Sequence, residues 1–411
     1  MPDTLSLTPR RERVLLLTLA SMHFIHIVDF MLMMPLGPQL TRIFAISDAQ
    51  FGLLISAYTL AAGVSGLVAT TYIDRFERRR LLLILFAGLA VATLACGLAP
   101  TFTTLMAARV AAGLFGGVLG SLVQTIVADA VPFARRGAAM GTVMTAFSMA
   151  TVAGVPASLW LADAQGWHAP FLALPAVSVP IWLAASRLVP RMTGHLTARS
   201  AAESTAQQLG QVLGERNHWR AFALTILLAF SSFTMIPYIT LFTTTNLGLT
   251  STQVPLIYLV GGLATLISSQ RLGQLADRWG KAPTFRLVAL LALAPILALP
   301  QLGDWGLTGL APVLVVTTLF FVLVSGRMVP GMALVTSAVE PGRRGAFMSL
   351  NNALQSGAMG VASLAGGLMV SRDAQGLLQG YGRTGWVALA CTAGALWLVG
   401  RLRVVAGKPG A

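Results

Sequence analysis

The sequence predicts an all-α membrane protein of twelve transmembrane helices in two six-helix halves, and three observations carry that prediction. Hydrophobic residues fill 55% of the 411 positions, charged residues only 10%, and mean hydropathy is +0.75, whereas a soluble globular chain carries roughly 25% charged residues. Apolar runs of about 20 residues, the length that crosses a bilayer, recur between charged or Gly/Pro-rich breaks. The breaks also repeat: Ala130-Val131-Pro132-Phe133-Ala134-Arg135-Arg136-Gly137-Ala138 is echoed 208 residues later by Ala338-Val339-Glu340-Pro341-Gly342-Arg343-Arg344-Gly345-Ala346.

Taken in order, the first run lies near 14–38, behind Arg10, Arg11 and Arg13. It is too long for the core of a signal peptide and has no small-residue cleavage site, so it reads as the first span. Runs near 50–72 and 81–99 flank the charged break Asp74-Arg75-Phe76-Glu77-Arg78-Arg79-Arg80, and runs near 104–128, 138–161 and 170–188 complete a first half of residues 1–188. The stretch 189–219, rich in Ala, Gln, Ser and Arg, reads as a cytoplasmic linker. A second half, 220–411, has runs near 220–241, 253–275, 284–300, 308–338, 345–370 and 385–402, with Asp277-Arg278 after its second run in the place of Asp74-Arg75. Parallel halves of this kind are a transporter signature, with a small-molecule site near the midplane.

The net charge of +14 would suit nucleic acid, but its distribution points to topology instead. With the N-terminus cytoplasmic, 23 of the 28 Lys and Arg fall on that side, Arg42, Arg372 and Arg383 on the other, and Arg109 and Arg327 inside runs. Both termini are therefore expected in the cytoplasm, the chain in a plasma membrane of the bacterial inner-membrane kind, and its partners are lipid bilayer and small solute, with no nucleic acid and no obligatory protein partner evident. Cys96 and Cys391 both sit in apolar runs and read as packing residues. Phosphate-binding loop, metal-ligand constellation and nucleophile elbow are all missing, so neither an enzyme, a metal site nor a cofactor is expected.

Asp29 is the one carboxylate squarely inside a run, roughly 24 Å along a helix from Arg13. Placing an acid there costs about 2.5–3.5 kcal/mol on insertion scales, which makes function the default reading. Arg109 lies at a comparable depth in the fourth run, and the two are expected to pair. His26 precedes Asp29 by three residues and shares its face; imidazole titrates near neutral pH and suits a proton relay. In the fourth run Arg109, Gly113, Gly116, Gly120 and Gln124 line one helix face, where small residues admit close approach of another helix or a solute. Arg327, mid-run in the tenth span, and Ser231, Thr234 and Tyr238 in the seventh are candidate substrate-cavity residues. Phe30, Met31, Met33, Met34 and Phe233 would give a soft apolar wall.

Gly273-Gln274-Leu275-Ala276-Asp277-Arg278-Trp279-Gly280-Lys281 resembles the G-x-L-A-D-R-x-G-R/K loop signature of the major facilitator superfamily, and Asp74-Arg75 keeps part of it in the first half, with Thr70 and Glu77 at the glycine places. Arg109-Val110-Ala111-Ala112-Gly113 is similar to the superfamily's fourth-helix R-x-x-x-G. Ala150-Thr151-Val152-Ala153-Gly154-Val155-Pro156-Ala157-Ser158 resembles, through Gly154 and Pro156, the G-x-x-x-G-x-P-x-G pattern of its proton antiporters, with Ala and Ser at the outer glycines. Asp29-Phe30-Met31-Leu32-Met33-Met34-Pro35 resembles the first span of its twelve-span drug:proton antiporter and sugar-efflux-like members. The resemblance covers nearly the whole chain. It implies the major facilitator fold, a gating loop at Asp74, Arg75, Gly273, Asp277, Arg278, Gly280 and Lys281, and secondary active transport driven by a proton gradient. Efflux of small, largely apolar compounds is the first expectation; an uptake symporter or facilitator for sugars or organic acids is the alternative.

Overall fold

The computed structural model describes residues 8–132, 135–193, 205–340 and 344–404. Twelve long helical segments follow one another, and their ends are written in the sequence. Helix α1 (Pro9–Leu32) starts on the Thr8 side chain with Pro9 behind it, proline being tolerated where no intrahelical donor is needed. A short helix α2 (Gly37–Ile43) leads to α3 (Asp48–Tyr72). The Glu77 carboxylate accepts from the amides of Arg79 and Arg80, both at 2.9 Å, and opens α4 (Arg78–Gly97). Thr101 and Thr104 form a reciprocal capping box that opens α5 (Phe102–Ala130); such pairs satisfy amides that the first turn leaves unbonded.

The fifth span is not one α-helix. It comprises α6 (Arg136–Met149), a π turn at Ala150–Gly154 and α7 (Val155–Gln165), and is followed by α8 (His168–Leu188). The expected linker 189–219 falls partly outside the described residues, at 194–204. Its described end forms helix α9 (Thr205–Gly214), whose last carbonyls are met by the His218 ring (2.8 Å to Val212 O) and the Trp219 indole (2.7 Å to Leu213 O).

The seventh span is α10 (Arg216–Phe233), a 3-10 turn at Ile236–Tyr238 and α11 (Ile239–Thr245); Pro237 stands where the helix breaks. Helices α12 (Val254–Trp279) and α13 (Lys281–Gln301) meet at Gly280, whose φ of +95° only glycine adopts without strain. The tenth span runs through α14 (Leu310–Phe320), a π turn at Phe321–Ser325 and α15 (Met328–Ser337). Then come α16 (Arg344–Met369), a hairpin of β1 (Ser371–Arg372) with β2 (Leu378–Gln379), antiparallel, and α17 (Tyr381–Val399).

Nine spans among the described residues are long and apolar enough to cross a membrane. The other three segments, α12, α16 and α17, are of similar length but more polar: Arg271 and Asp277 in α12, Asn351 and Gln355 in α16, and Arg383 in the first turn of α17. Val64, Val91, Ile267, Val315, Leu368 and Trp386 are more than half exposed, an apolar surface that only lipid covers at no cost.

The chain forms two compact units: one holds residues up to Met33 and from Ala57 to Thr205, the other Met34–Ser56 and the chain from Ala206 on. In the first, α1 packs on α4, α5, α6 and α8. In the second, Phe222 and Phe347 stack at 4.8 Å in an apolar cluster with Leu228, Phe285 and Val335, which also buries Val212 of α9. The start of α3 belongs to this second unit. A side chain at Gly52 would strike the Tyr238 hydroxyl and lie 3.2 Å from Gly367 Cα, so backbones meet there. Ser56 Oγ donates to Gly360 O at 2.6 Å, and Arg372 Nη2 donates to Asp48 Oδ1 at 3.1 Å.

Candidate functional site: a sealed ion pair in the first unit

Asp29 sits a turn before the end of α1 and is completely buried; Arg109, in the second turn of α5, is 1% exposed. Arg109 Nη1 donates to Asp29 Oδ2 at 3.2 Å and lies 3.4 Å from the Asp29 carbonyl. Thr93 of α4 donates its hydroxyl to the other carboxylate oxygen at 2.9 Å. The Tyr58 ring of α3 carries the guanidinium on its face at 4.3 Å, an arrangement in which the ring quadrupole favours the cation. The pair thus has both charges answered and one donor, Arg109 Nε, unbonded. Desolvation makes such a pair costly to keep and costlier to break from one side.

The glycines expected on the Arg109 face act as the pattern implies. Gly113 admits the Tyr58 carbonyl and Gly116 admits the Tyr58 hydroxyl, with His26 Cδ2 and Nε2 at 3.0 Å from where its Cβ would stand. Gly120 faces His26 and His23, and Gln124, one turn further, is half-buried. Gly154 closes the π turn of the fifth span against α1: a Cβ there would strike Val28 and lie 3.1 Å from the Phe24 ring. Thr151, in the same turn, donates its hydroxyl to Phe147 O at 2.9 Å and holds that oxygen 3.9 Å from Met31 Sδ. Pro156 is buried at the start of α7. The antiporter-like motif therefore packs on the stretch of α1 that carries Asp29, and π turns recur at functional sites.

In the second unit Arg327 is also fully buried, but its described partners are neutral: Thr392 Oγ1 at 2.7 Å, Ser231 Oγ at 2.9 Å and Ser232 Oγ at 3.5 Å, with Nε unbonded. Ser231, Thr234 and Tyr238 are themselves buried and occupied. Ser231 donates to Ala388 O, Thr234 to Phe230 O and Tyr238 to Ser363 O at 2.8, 2.9 and 2.6 Å. Their hydroxyls serve the protein, as Ser and Thr in spans commonly do, and Tyr238 packs against Gly52, Gly366 and Gly367.

Of the loop residues, Arg75 lies exposed in a 3-10 turn at Ile73–Arg75; the Asp74 side chain lies outside the described part. Ion pairs at this end are made by Arg78 with Asp129 of α5 at 3.2 Å and by Arg135 with Glu12 of α1 at 3.0 Å. Glu77, at a place where the family pattern has glycine, has φ of −61° and caps α4. A Cβ at Gly273 would make an ordinary contact with Val329 Cγ1 at 4.0 Å, Asp277 and Arg278 are exposed, and Lys281 ties α13 to α15 through Ser337 Oγ at 2.6 Å. Among the described residues no cluster of three or more His, Cys, Asp or Glu could hold a metal.

Long apolar helices, a doubled architecture and a charge pair sealed inside one bundle define a multi-pass membrane transporter. The chain belongs to the Major Facilitator Superfamily, whose family model matches residues 19–363. It is 28% identical over 271 residues to the inner membrane transport protein YdhP of Escherichia coli K12, covering 66% of this chain and 68% of the relative. Similarity to the MFS-type transporter YceJ of Bacillus subtilis is 26% over 369 residues, 88% and 90% of the two chains. Among solved structures, a D-xylose-proton symporter superposes with a TM-score of 0.77 at 16% identity, covering 98% of this chain and 100% of that one. A bacterial homolog of the human lysosomal transporter Spinster gives 0.70 at 15%, over 98% and 100%. The fold is thus the major facilitator fold, and the protein is a transporter of small molecules, not an enzyme, of a family that needs no cofactor.

Sequence reasoning missed Thr93, Tyr58, Asp129, Asp48 and Arg372. Thr93 and Tyr58 are ordinary residue types in apolar runs, and nothing local marks them. Asp129 carried a usable signal, an acid adjoining the repeated Ala130–Ala138 break.

Proposed function

We propose that this protein is a proton-coupled exporter of small, largely apolar compounds, working by alternating access in a bacterial inner membrane with both termini cytoplasmic. The observation that carries the reading is the Asp29–Arg109 pair, sealed inside the first unit with Thr93 and Tyr58 around it. With Asp29 ionised, carboxylate and guanidinium neutralise each other. When Asp29 takes a proton, the carboxyl loses its charge, Arg109 loses its counter-ion, and the packing of α1 on α5 changes in energy. A proton can thereby be exchanged for a solute, since ligands shift an equilibrium only through such differences between states. Gly154, packed on the Asp29 segment, and Pro156, buried at the start of the helix that follows, support antiport. The loops at Asp74–Arg75 and Gly273–Lys281 serve as gating elements at the cytoplasmic end, where the Arg78–Asp129 and Lys281–Ser337 contacts tie neighbouring helices.

A second reading rests on Arg327. A buried cation with only hydroxyl partners suits an organic acid as solute, moved by symport or facilitation.

The two readings part in proteoliposomes containing an interior pH dye, challenged with lipophilic cations, neutral antibiotics, sugars and organic acids. Antiport gives proton movement opposite to solute movement, abolished in Asp29→Asn. Transport of an organic acid with no proton movement in either protein overturns the antiport reading and leaves the second.

A further inference from the structure

Three polar groups beside the ion pair are not used by it. His23 Nδ1, His26 Nδ1 and the Tyr58 hydroxyl are buried atoms with no hydrogen-bond partner in the protein. They form a connected series. Tyr58 lies against Arg109; the Tyr58 hydroxyl and the His26 ring both converge on the bare Cα of Gly116; His26 and His23 both face Gly120, and their ring centroids are 5.7 Å apart. From Asp29 to His23 the series moves six residues back along α1, about 9 Å toward its N-terminal end. On α5 it follows Arg109, Gly113, Gly116, Gly120 and half-buried Gln124 in the opposite chain direction.

Structural histidines in a core bond a carbonyl or carboxylate, as His218 does with Val212 O; these two do not. The space at Gly116 is too small for a methyl group, since an added Cβ would strike the Tyr58 hydroxyl. A solute has no room where a methyl does not fit, whereas a proton needs only lone pairs that come within hydrogen-bond reach of one another.

We infer that Tyr58, His26 and His23 form a proton route from Asp29 toward the N-terminal end of α1, laid along the glycine face of α5. The inference rests on the reading of Asp29 as proton carrier. In release, the Asp29 carboxyl gives up its proton and becomes the carboxylate that pairs with Arg109. A lone pair on His26, reached through the Tyr58 hydroxyl, which accepts one proton as it donates another, takes the proton to form imidazolium. The second His26 nitrogen passes a proton to His23, which returns one to water, and both rings end neutral. His26 lies in the fields of His23 and Arg109, and Arg109 in those of Asp29, Cys96 and Tyr58; these are the groups whose charge the route must accommodate.

The test uses the proton itself as probe. Full-length protein in lipid nanodiscs is jumped from alkaline to mildly acidic pH in weak buffer, and proton uptake is followed with a pH dye. The phase that Asp29→Asn removes is the carrier's own. In His23→Gln/His26→Gln, which keeps hydrogen-bonding side chains but cannot carry a proton, that phase is expected to keep its amplitude and slow by roughly a hundredfold. An unchanged rate overturns the route and leaves Asp29 as carrier. If Asp29→Asn removes no phase, the carrier reading fails, and the route fails with it. Should the double variant lose the amplitude, Tyr58→Phe decides, because it keeps the ring over Arg109 and removes only the hydroxyl: slowing at full amplitude supports the route, and a wild-type rate overturns it.

Discussion

Asp29→Ala leaves the Arg109 guanidinium in an apolar bundle with no counter-charge, which costs about 3–5 kcal/mol when a buried pair is broken from one side. Exchanging both partners for apolar residues of similar size, Asp29→Leu with Arg109→Met, restores most of that loss. The expected order of melting temperatures in detergent is therefore wild type near the double variant, both above the single one, while proton-linked transport is absent from both variants. A double variant as unstable as the single one refutes this account of the pair. Asp29 and Arg109 were legible in the sequence because a charge in an apolar run is rare and expensive. Thr93 and Tyr58 were not, because their meeting with the pair depends on how α3 and α4 are rotated against α1 and α5. Ser231, Thr234 and Tyr238 were legible as polar groups on one span, but not as groups whose hydroxyls are already bonded.

Helix ends carry the next set of expectations. Glu77 holds two amides of α4 and also the amide of Met192, 3.1 Å away, so it fastens the chain after α8 to the start of α4. Glu77→Ala is expected to lower stability by roughly 0.5–2 kcal/mol, the usual worth of a cap, seen as a lower melting temperature; Glu77→Gly restores the family pattern and loses the same side-chain bonds. Gly280→Ala forces φ of +95° with ψ of 153° on a residue with a Cβ and is expected to cost about 1–3 kcal/mol. In the hairpin after α16, Gln379 and the amides of Leu377 and Gln375 hold the Asp373 carboxyl below the usual carboxylate range. A carboxyl depressed on folding adds stability above its ordinary range and loses it as pH falls through the lowered value. Amide exchange at Gln375 and Leu377, corrected for intrinsic rate, should therefore speed up on acidification; pH-independent protection contradicts this. The spans themselves were legible from run length. The π turns at Ala150–Gly154 and Phe321–Ser325 were not, because one residue too many in a helix leaves no mark on composition or periodicity.

For the molecule as a whole, the distribution of Lys and Arg gives the sharpest expectation. A fluorescent protein that folds only in the cytoplasm should be bright on either end of the chain, and alkaline phosphatase fused at either end should be inactive; the reverse pattern at one end would remove a span from the count. The repeat in the sequence made two halves legible. It did not reveal that Met34–Ser56, early in the first half, packs with the chain from Ala206 on, because Gly52 against Gly367 and Asp48 against Arg372 are partners more than 300 positions apart. Asp48 is 4% exposed and bonded by both Nε and Nη2 of Arg372, so Asp48→Asn is expected to destabilise more than Arg42→Gln, which alters an exposed residue.

A π turn is a residue that a helix has absorbed without lengthening its loops, and it works like a washer set under a screw head. Should the turn at Ala150–Gly154 close to ordinary helix with every residue kept, everything beyond it rotates by about 100° and advances about 1.5 Å. Gly154 would then swing off Val28 and a side chain would arrive in its place, beside the stretch of α1 that bears the carboxylate. Deleting Val152 instead lets the turn close with everything beyond it in register, so a shortened fifth span is expected to present the same face to α1, and the extra residue is what gives that span a second register to reach.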